Sequence, residues 1–284
     1  MIIPDEQVTT EDVKSWKGIH LLHFQGSSCS QKVRILLRER EIEFMAHEID
    51  LAADKHVSPW FLGVNPRGVV PVLVQDGVVQ VESNDILEYL DSNIPSAAPS
   101  FFPVDEAERD TVKQSLELED GLHMDLRTLT MGFVMPRRLA QKSEKTLQRW
   151  EDEGASNPKR ALEVEWWREY AREGIPAEPA GASFEAHLDA FAILEDRLVS
   201  SEWLIGDRLS VLDIPWFITT ARLQNAGYPL AHHPRLHAWH ERLAHRPAFR
   251  EETRDPFPVR SIVMLYQLFR RAQGTTLCDV MASA

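Results

Sequence analysis

The spacing of apolar positions changes character twice along the chain. From about Gly18 to Asn93 short apolar runs alternate with stretches of helical spacing, the pattern of an α/β unit. HLLHF (His20–Phe24) predicts a strand, GSSCS a polar turn and QKVRILLRER a helix, with Val33, Leu36, Leu37 and then Ile42 at helix-like spacing. IEFMAHEID predicts a second strand. Ser58-Pro59 predicts a helix start, because Ser accepts from the unpaired amides of a first turn and Pro there loses no needed donor. VPVLVQ and VVQV flank Asp76-Gly77, a two-residue hairpin, and ESNDILEYLDSN predicts a closing helix. The expected order is β-α-β-α-β-β-α.

Pro95, Pro99 and Pro103 lie within SNIPSAAPSFFPVD and can continue neither a helix nor a central strand, which makes this stretch a linker. Beyond it the strand signal fades. Glu106–Leu129, Glu163–Arg172, Ala182–Val199, Val211–Gln224 and His237–Ala244 all carry helical patterns. A polar, charge-rich stretch near 140–182 interrupts them and predicts a partly helical insertion with flexible breaks at Gly154–Pro158 and Gly174–Gly181. The domain reading is 17–94 for the α/β domain, 95–104 for the linker and 105–284 for an all-helical domain that includes the insertion.

Composition narrows the function. Hydrophobic residues at 43% and charged residues at 26% of 284 describe an ordinary globular chain. A formal net charge of −13 argues against nucleic acid and against an anionic membrane surface as partners. Cys29 and Cys278 stand far apart without CxxC or Cys/His spacing, which excludes a zinc ribbon and a dithiol motif and leaves no metal site to expect. MIIPDEQVTTEDVKSWKG is acidic and polar where a secretory signal would be basic and then apolar. No apolar run approaches the ~18 residues of a membrane helix. A soluble, cytoplasmic protein is expected.

Five features in the sequence carry chemistry. SSCSQKVR sets hydroxyls and a thiol after a strand, at the amino end of a helix, where the dipole and unpaired N–H groups favour an anion. KHVSPWFLGVNPRG carries cationic side chains around a short helix. Val69-Val70-Pro71 opens a strand with a proline, whose amide makes cis accessible and leaves the preceding N–H and C=O as an unpaired edge. Glu82-Ser83 stands at a strand-to-helix junction. Ser210-x-x-Asp213 has the form of a capping box opening an apolar helix.

Taken in this order and spacing, the features resemble the cytosolic glutathione transferase family from about Gly18 to about Phe249. SSCS followed by a basic residue and VR resembles the zeta class. SQKVR, HVSPWFLGVN, TMGFVMPRR and the long insertion resemble the tetrachlorohydroquinone-dehalogenase-like and ganglioside-induced differentiation-associated branch. The hydrophobic tail of that branch's membrane-anchored members has no counterpart in SIVMLYQLFRRAQGTTLCDVMASA.

The resemblance implies a thioredoxin-like domain that holds glutathione, an all-α domain that supplies the acceptor pocket, and a homodimer. It implies that Glu82 meets the γ-glutamyl ammonium and Ser83 the carboxylate. Val70, before a cis Pro71, would pair with the cysteinyl backbone, and Lys55 or His56 would face the glycine carboxylate. Ser27, with Ser28 beside it, would stabilise the thiolate, and Cys29 aligns with the cysteine of isomerase and dehalogenase members. Read from the residues alone, Ser27 is equally a helix cap and Cys29 a small buried side chain on the first turn of a helix. His123, Arg127, Met131 and Met135 fall where the acceptor pocket would lie, though Met and Phe at helical spacing also build cores. The function implied is conjugation or reductive processing of a small, mostly apolar electrophile. The alternatives are a Cys29-dependent glutathionyl reductase or dehalogenase, and a non-catalytic glutathione-binding protein.

Overall fold

The computed structural model describes residues 1–153, 157, 160–255 and 257–282. The chain divides into two compact units, residues 1–99 with 142–169, and residues 100–141 with 170–284. The insertion expected within the helical domain is thereby reassigned: its residues 142–169 group with the first unit.

The first unit is built on β1 (Ile19–His23), β2 (Met45–Glu48), β3 (Val72–Gln75) and β4 (Val78–Gln80), in the spatial order β2-β1-β3-β4. β1 runs parallel to β2 and antiparallel to β3, and β3 is antiparallel to β4. The helices are α1 (Ser28–Glu39), α2 (Pro59–Val64) and α3 (Ser83–Asn93). Leu21 and Leu22 on β1 are both fully buried, so each face of this central strand is covered. Val72, Val74, Val79 and Val81 pack with Phe61 and Val64 of α2 on one side. Asp76 and Gly77 both adopt positive φ, 49° and 87°, as a two-residue hairpin of this kind requires. A Cβ on Gly77 would meet the Lys14 carbonyl oxygen at 2.2 Å, so only glycine fits there.

The polar amino terminus is more ordered than its composition suggests. Ile3 N–H bonds to the Val79 carbonyl at 2.9 Å, and Val13 is completely buried in the same core.

The second unit is helical. The expected helix from 106 to 129 is two, α4 (Glu106–Gly121) and α5 (His123–Phe133), separated at Leu122. Longer helices follow at Ala177–Arg197, Asp213–Ala226, Pro234–Ala244 and Phe257–Gln273. Trp216, Trp239, Phe191, Phe217 and Phe249 fill its interior. Asp213 is fully buried and accepts from Ser210 N at 2.7 Å, Ser210 Oγ at 2.8 Å and Trp239 Nε1 at 2.7 Å. It therefore ties the chain before its own helix to the Pro234–Ala244 helix, although burial raises its pKa. The break expected at Gly174–Gly181 is shorter than its sequence suggests. Gly174 has φ of 80°, and a helix has already begun at Ala177. The Gly154–Pro158 break lies outside the described residues apart from Asn157. Among the described residues no helix is long and apolar enough to cross a membrane.

Candidate functional site

Strand register gathers four segments of the first unit. Leu22 faces Val72, Leu73 faces Gln80, and His23 lies beside Glu48. With these directions, the chain leaving β1 toward Ser27 and the chain entering β3 at Val70-Pro71 lie at one end of the sheet. The chain leaving β4 at Glu82 and the chain leaving β2 toward His56 reach that same end.

Ser27 caps α1, its Oγ accepting from Ser30 N at 3.3 Å. That bond uses a lone pair and leaves the O–H proton to donate elsewhere. Ser28 and Cys29 occupy the first two positions of α1, half-buried at its positive end. The preceding loop is pinned from α1 by Arg34, a residue that is 3% exposed. Its guanidinium donates to Phe24 O at 3.2 Å, Gln25 O at 3.0 Å and His23 Nδ1 at 3.0 Å. Burial, helped by the charge of Arg34, lowers the His23 pKa to about 4, so this imidazole is a neutral acceptor at pH 7.

The Val70-Pro71 peptide is cis. Among the described residues no hydrogen bond engages the N–H or C=O of Val70. The loop before it is braced by Asn65, which donates to Val69 O at 2.8 Å and accepts from Arg67 N at 3.1 Å. Glu82 holds φ at 68°, a conformation that costs a non-glycine residue on the order of 1–3 kcal/mol and gathers at functional sites. Its carboxylate pairs with the Arg67 guanidinium, and Ser83 begins α3, buried beside it.

The insertion folds onto this end of the unit. Its first helix, Glu144–Glu153, sends Arg149 to Asp54 at 2.6 Å and Trp150 Nε1 to the same carboxylate at 3.2 Å. Lys142 approaches Asp54 at 3.5 Å. Its second, Arg160–Glu173, begins with Arg160, 2% exposed, which donates to Glu163 at 2.7 Å and to the Arg67 carbonyl at 3.2 Å. Asn157 donates to that carbonyl at 2.8 Å. Gly68, with φ of 62°, makes room: a Cβ there would stand 2.6 Å from Arg160 Nη2.

This packing corrects one expectation. His56 is 5% exposed, its ring edge-on to Trp150 at 4.8 Å between centroids, and its Nδ1 is buried without a partner. Burial, reinforced by Arg160, Lys142 and Arg149, lowers its pKa to about 3. A neutral, covered imidazole offers no charge to a carboxylate. Lys55, the other candidate, is exposed. Arg67, Trp150, Asn157 and Arg160 join this end of the unit only through the fold. Arg67 was visible as a cation in NPRG, but nothing in the polar insertion announced where it would pack.

In the second unit a cavity of about 430 Å³ is lined by Met131 and Met135 together with Phe133, Arg137, Tyr170 and Arg270. Two of the four expected pocket residues, Met131 and Met135, are on its wall. His123 and Arg127 are not, because the cavity lies at the carboxyl end of α5 and these two side chains leave the helix one and two turns earlier.

Family comparisons agree with this architecture. The model of the glutathione S-transferase N-terminal domain matches residues 26–93, and that of the C-terminal domain matches residues 171–247. Together the two span just over half of the chain. Protein LigF of Sphingobium sp. is 29% identical over 241 residues, covering 82% of this chain and 92% of LigF. The crystal structure of beta-etherase LigF superposes with a TM-score of 0.72 at 28% identity, over 82% of this chain and 98% of that one. Glutathione S-transferase T1 of Arabidopsis thaliana is 35% identical over 109 residues, covering 38% of this chain and 43% of that protein. Glutathione transferase F7 of Populus trichocarpa shares the fold, with a TM-score of 0.62 at 22% identity over 82% of this chain and 97% of that one. With a thioredoxin-like unit, a helical unit and both family domains in order, the chain belongs to the glutathione S-transferase family and is an enzyme of that class.

Proposed function

We propose that the protein uses glutathione as co-substrate and transfers its thiolate to a small electrophile. The observation that carries this reading is the convergence of Ser27, the open Val70 edge and the Arg67–Glu82 pair at one end of the sheet. Glutathione carries an amino-acid zwitterion at its γ-glutamyl end. Its ammonium takes the place of the Arg67 guanidinium on Glu82, and the freed guanidinium takes the α-carboxylate, so charge stays balanced throughout. Ser83 and the first amides of α3 supply further donors to that carboxylate. The cysteinyl backbone pairs with Val70 as a one-residue strand addition. Lys55 is the cation left for the glycine carboxylate.

The thiolate then lies toward the head of α1. The Ser27 O–H donates to it, and the positive end of α1, with Ser28 beside it, lowers the thiol pKa further. Attack forms a sulfur–carbon bond and expels the leaving group with its electron pair. An ether is one acceptor class, favoured by the likeness to beta-etherase LigF. There the carbon–oxygen bond breaks and the aryl- or alkyloxide leaves, to be protonated by water. Cys29, half-buried one position after Ser28, supports the second reading, in which its thiolate attacks the sulfur of a glutathione adduct, the sulfur–carbon bond breaks, the substrate carbon leaves with the electron pair and is protonated, and a second glutathione reduces the resulting mixed disulfide to free Cys29 and glutathione disulfide. The finer placement rests on the SSCS head for the zeta-like enzymes and on SQKVR, HVSPWFLGVN, TMGFVMPRR and the insertion for the dehalogenase-like branch. The homodimer is likewise proposed, and light scattering at twice the 32.5 kDa chain mass tests it.

Retention on immobilised glutathione, followed by conjugation, ether-cleavage and disulfide-reduction assays side by side, tests the function. Failure to bind glutathione removes the whole reading. Ser27→Ala impairing conjugation and raising the pH at which activity appears supports the serine role; loss of conjugation in Cys29→Ser with a silent Ser27→Ala reverses it.

A further inference from the structure

The Phe257–Gln273 helix of the second unit is built the wrong way round for a surface helix. Val263 is buried, and beside it the helix is fastened by polar groups. Gln267 donates to the Phe133 carbonyl at 2.6 Å and the Asn225 carbonyl at 2.8 Å, and Arg270 donates to the Gly132 carbonyl at 3.1 Å. The large apolar side chains are on the outside. Phe257, Met264, Leu265, Leu268 and Phe269 are each between 55% and 78% exposed. At 3.6 residues per turn these five fall within about 140° of arc and run for about 18 Å along the axis. Arg260 and Arg271, both exposed, lie along one edge of that arc. An ordinary surface helix turns such a stripe toward the core. Val104, Leu139, Leu162 and Val199 are exposed too, but each stands alone on its own segment, which is common at any surface.

Charge and area decide what covers the stripe. The helix contains no Asp or Glu, although the chain carries 44 of them against 31 Lys and Arg. Asp255, just before it, is within electrostatic reach of Arg260, and Arg271 forms no ion pair among the described residues. The five side chains offer on the order of 600 Å² of apolar surface, the top of what a monomer shows in one patch and less than the ~800 Å² per partner of a stable dimer. Two copies packed through this stripe would set arginine against arginine and find no carboxylate on either helix. A second copy is therefore disfavoured. The rim calls for an anion and the stripe for hydrocarbon, and a phospholipid surface supplies both. A ridge of side chains on one exposed helix enters fluid acyl chains without a shaped receiver, whereas a protein partner would have to bring an acid-rimmed groove. The net charge of −13 opposes an anionic surface for the chain as a whole. Within the ~8 Å Debye length of physiological salt, however, lipid phosphates meet this helix and not the carboxylates farther away.

We propose that the Phe257–Gln273 helix docks the protein on an anionic bilayer surface, lying in the plane of the interface with Phe257, Met264, Leu265, Leu268 and Phe269 among the acyl chains and Arg260 and Arg271 at the phosphates. A helix of 17 residues that includes Arg260, Arg270 and Arg271 lies on such a surface and does not span it. The inference does not depend on the glutathione reading, because the helix belongs to the second unit and its docking is measured with no glutathione present.

Flotation of the full chain with vesicles tests it, comparing phosphatidylcholine alone with phosphatidylcholine containing about three parts in ten phosphatidylglycerol. Wild type is expected to partition onto the mixed vesicles about fivefold or more above phosphatidylcholine alone. The double variant Leu265→Ser/Leu268→Ser lowers partition onto both vesicles by about tenfold or more. Arg260→Gln/Arg271→Gln brings the ratio between the two vesicles within about twofold of unity. Leu162→Ser, which alters an equally exposed leucine of the first unit, leaves partition unchanged. All the altered side chains are exposed, so melting curves should coincide with wild type, and the arginine pair carries the test if the leucine pair unfolds. Light scattering accompanies each variant. Absence of wild-type flotation, equal partition onto the two vesicles, or flotation unchanged in a folded leucine variant overturns the inference. So does a preference for mixed vesicles that survives in the arginine variant. A molecular mass that falls by half in Leu265→Ser/Leu268→Ser overturns it as well, because a second copy then covers the stripe.

Discussion

The end of the sheet in the first unit and the cavity in the second both concentrate arginines, but they use them differently. Around Asp54, His56 and Glu82 the cations are paired, buried or bonded to backbone, and their effect is to fasten the insertion and the loop before Val70. Around the cavity Arg137 and Arg270 donate to neutral oxygens, and the Glu173 carboxylate on the same wall is taken by Arg172. The difference comes from where the acidic residues sit and not from how many arginines each region has.

The comparison is broken most forcefully at Trp150, which is 3% exposed. Trp150→Ala removes the ring that covers His56, the bond to Asp54 and the surface under the Arg160 guanidinium, 5.6 Å from the ring centroid. Denaturant unfolding should show a loss of about 3–5 kcal/mol, with rapid proteolysis within the insertion. A loss under 1 kcal/mol would mean that the insertion does not brace the first unit.

Glu82→Ala comes next. It removes the ammonium acceptor and leaves Arg67 without its carboxylate, and glutathione affinity should fall by about 1.5–3 kcal/mol, read by calorimetry. Arg67→Met should fall less, since Ser83 and the α3 amides remain for the α-carboxylate. Wild-type affinity in both variants would remove the zwitterion arrangement.

His56 sharpens the contrast through pH. Its pKa is about 3 in the folded chain against an ordinary 6.5, so the native state binds fewer protons between those values. Its contribution to stability is therefore complete above pH 6.5 and is lost as pH falls toward 3. His56→Gln should flatten the stability profile between pH 6.5 and 4 relative to wild type, though His23 and His240, both lowered to about 4, keep some slope. A steeper profile in the variant would contradict the buried, neutral assignment.

The smallest effect is expected at Arg137. With no carboxylate partner among the described residues and an exposed side chain, Arg137→Gln should change unfolding free energy by no more than about 0.5 kcal/mol, read by denaturant unfolding. A larger stability loss would make Arg137 a brace like those of the first unit.

The fold was legible because its signals are local. Asp76-Gly77 between two β-branched runs fixes a hairpin through backbone sterics, and Ser58-Pro59 and Ser27 announce helix starts by capping chemistry. Val70-Pro71, Glu82-Ser83 and the SSCS run stood out for the same reason: each is a short segment whose residue types suit one backbone task. The amino terminus and the helix break at Leu122 were not legible, since Val13 and the α4–α5 junction are decided by what packs against them.

The candidate site divides along the same line. The chain itself determined which residues cap, turn and open an edge, because those properties depend on neighbours one to four positions away. Only the tertiary structure decided that His56 is covered by a tryptophan 94 positions later, that the Arg67 carbonyl is held by Asn157 and Arg160, and that Arg137 and Arg270 line one cavity with Met131 and Met135. Charge, protonation and pairing depend on burial and on distances of a few ångströms between segments far apart in sequence, and no spacing rule along the chain encodes those.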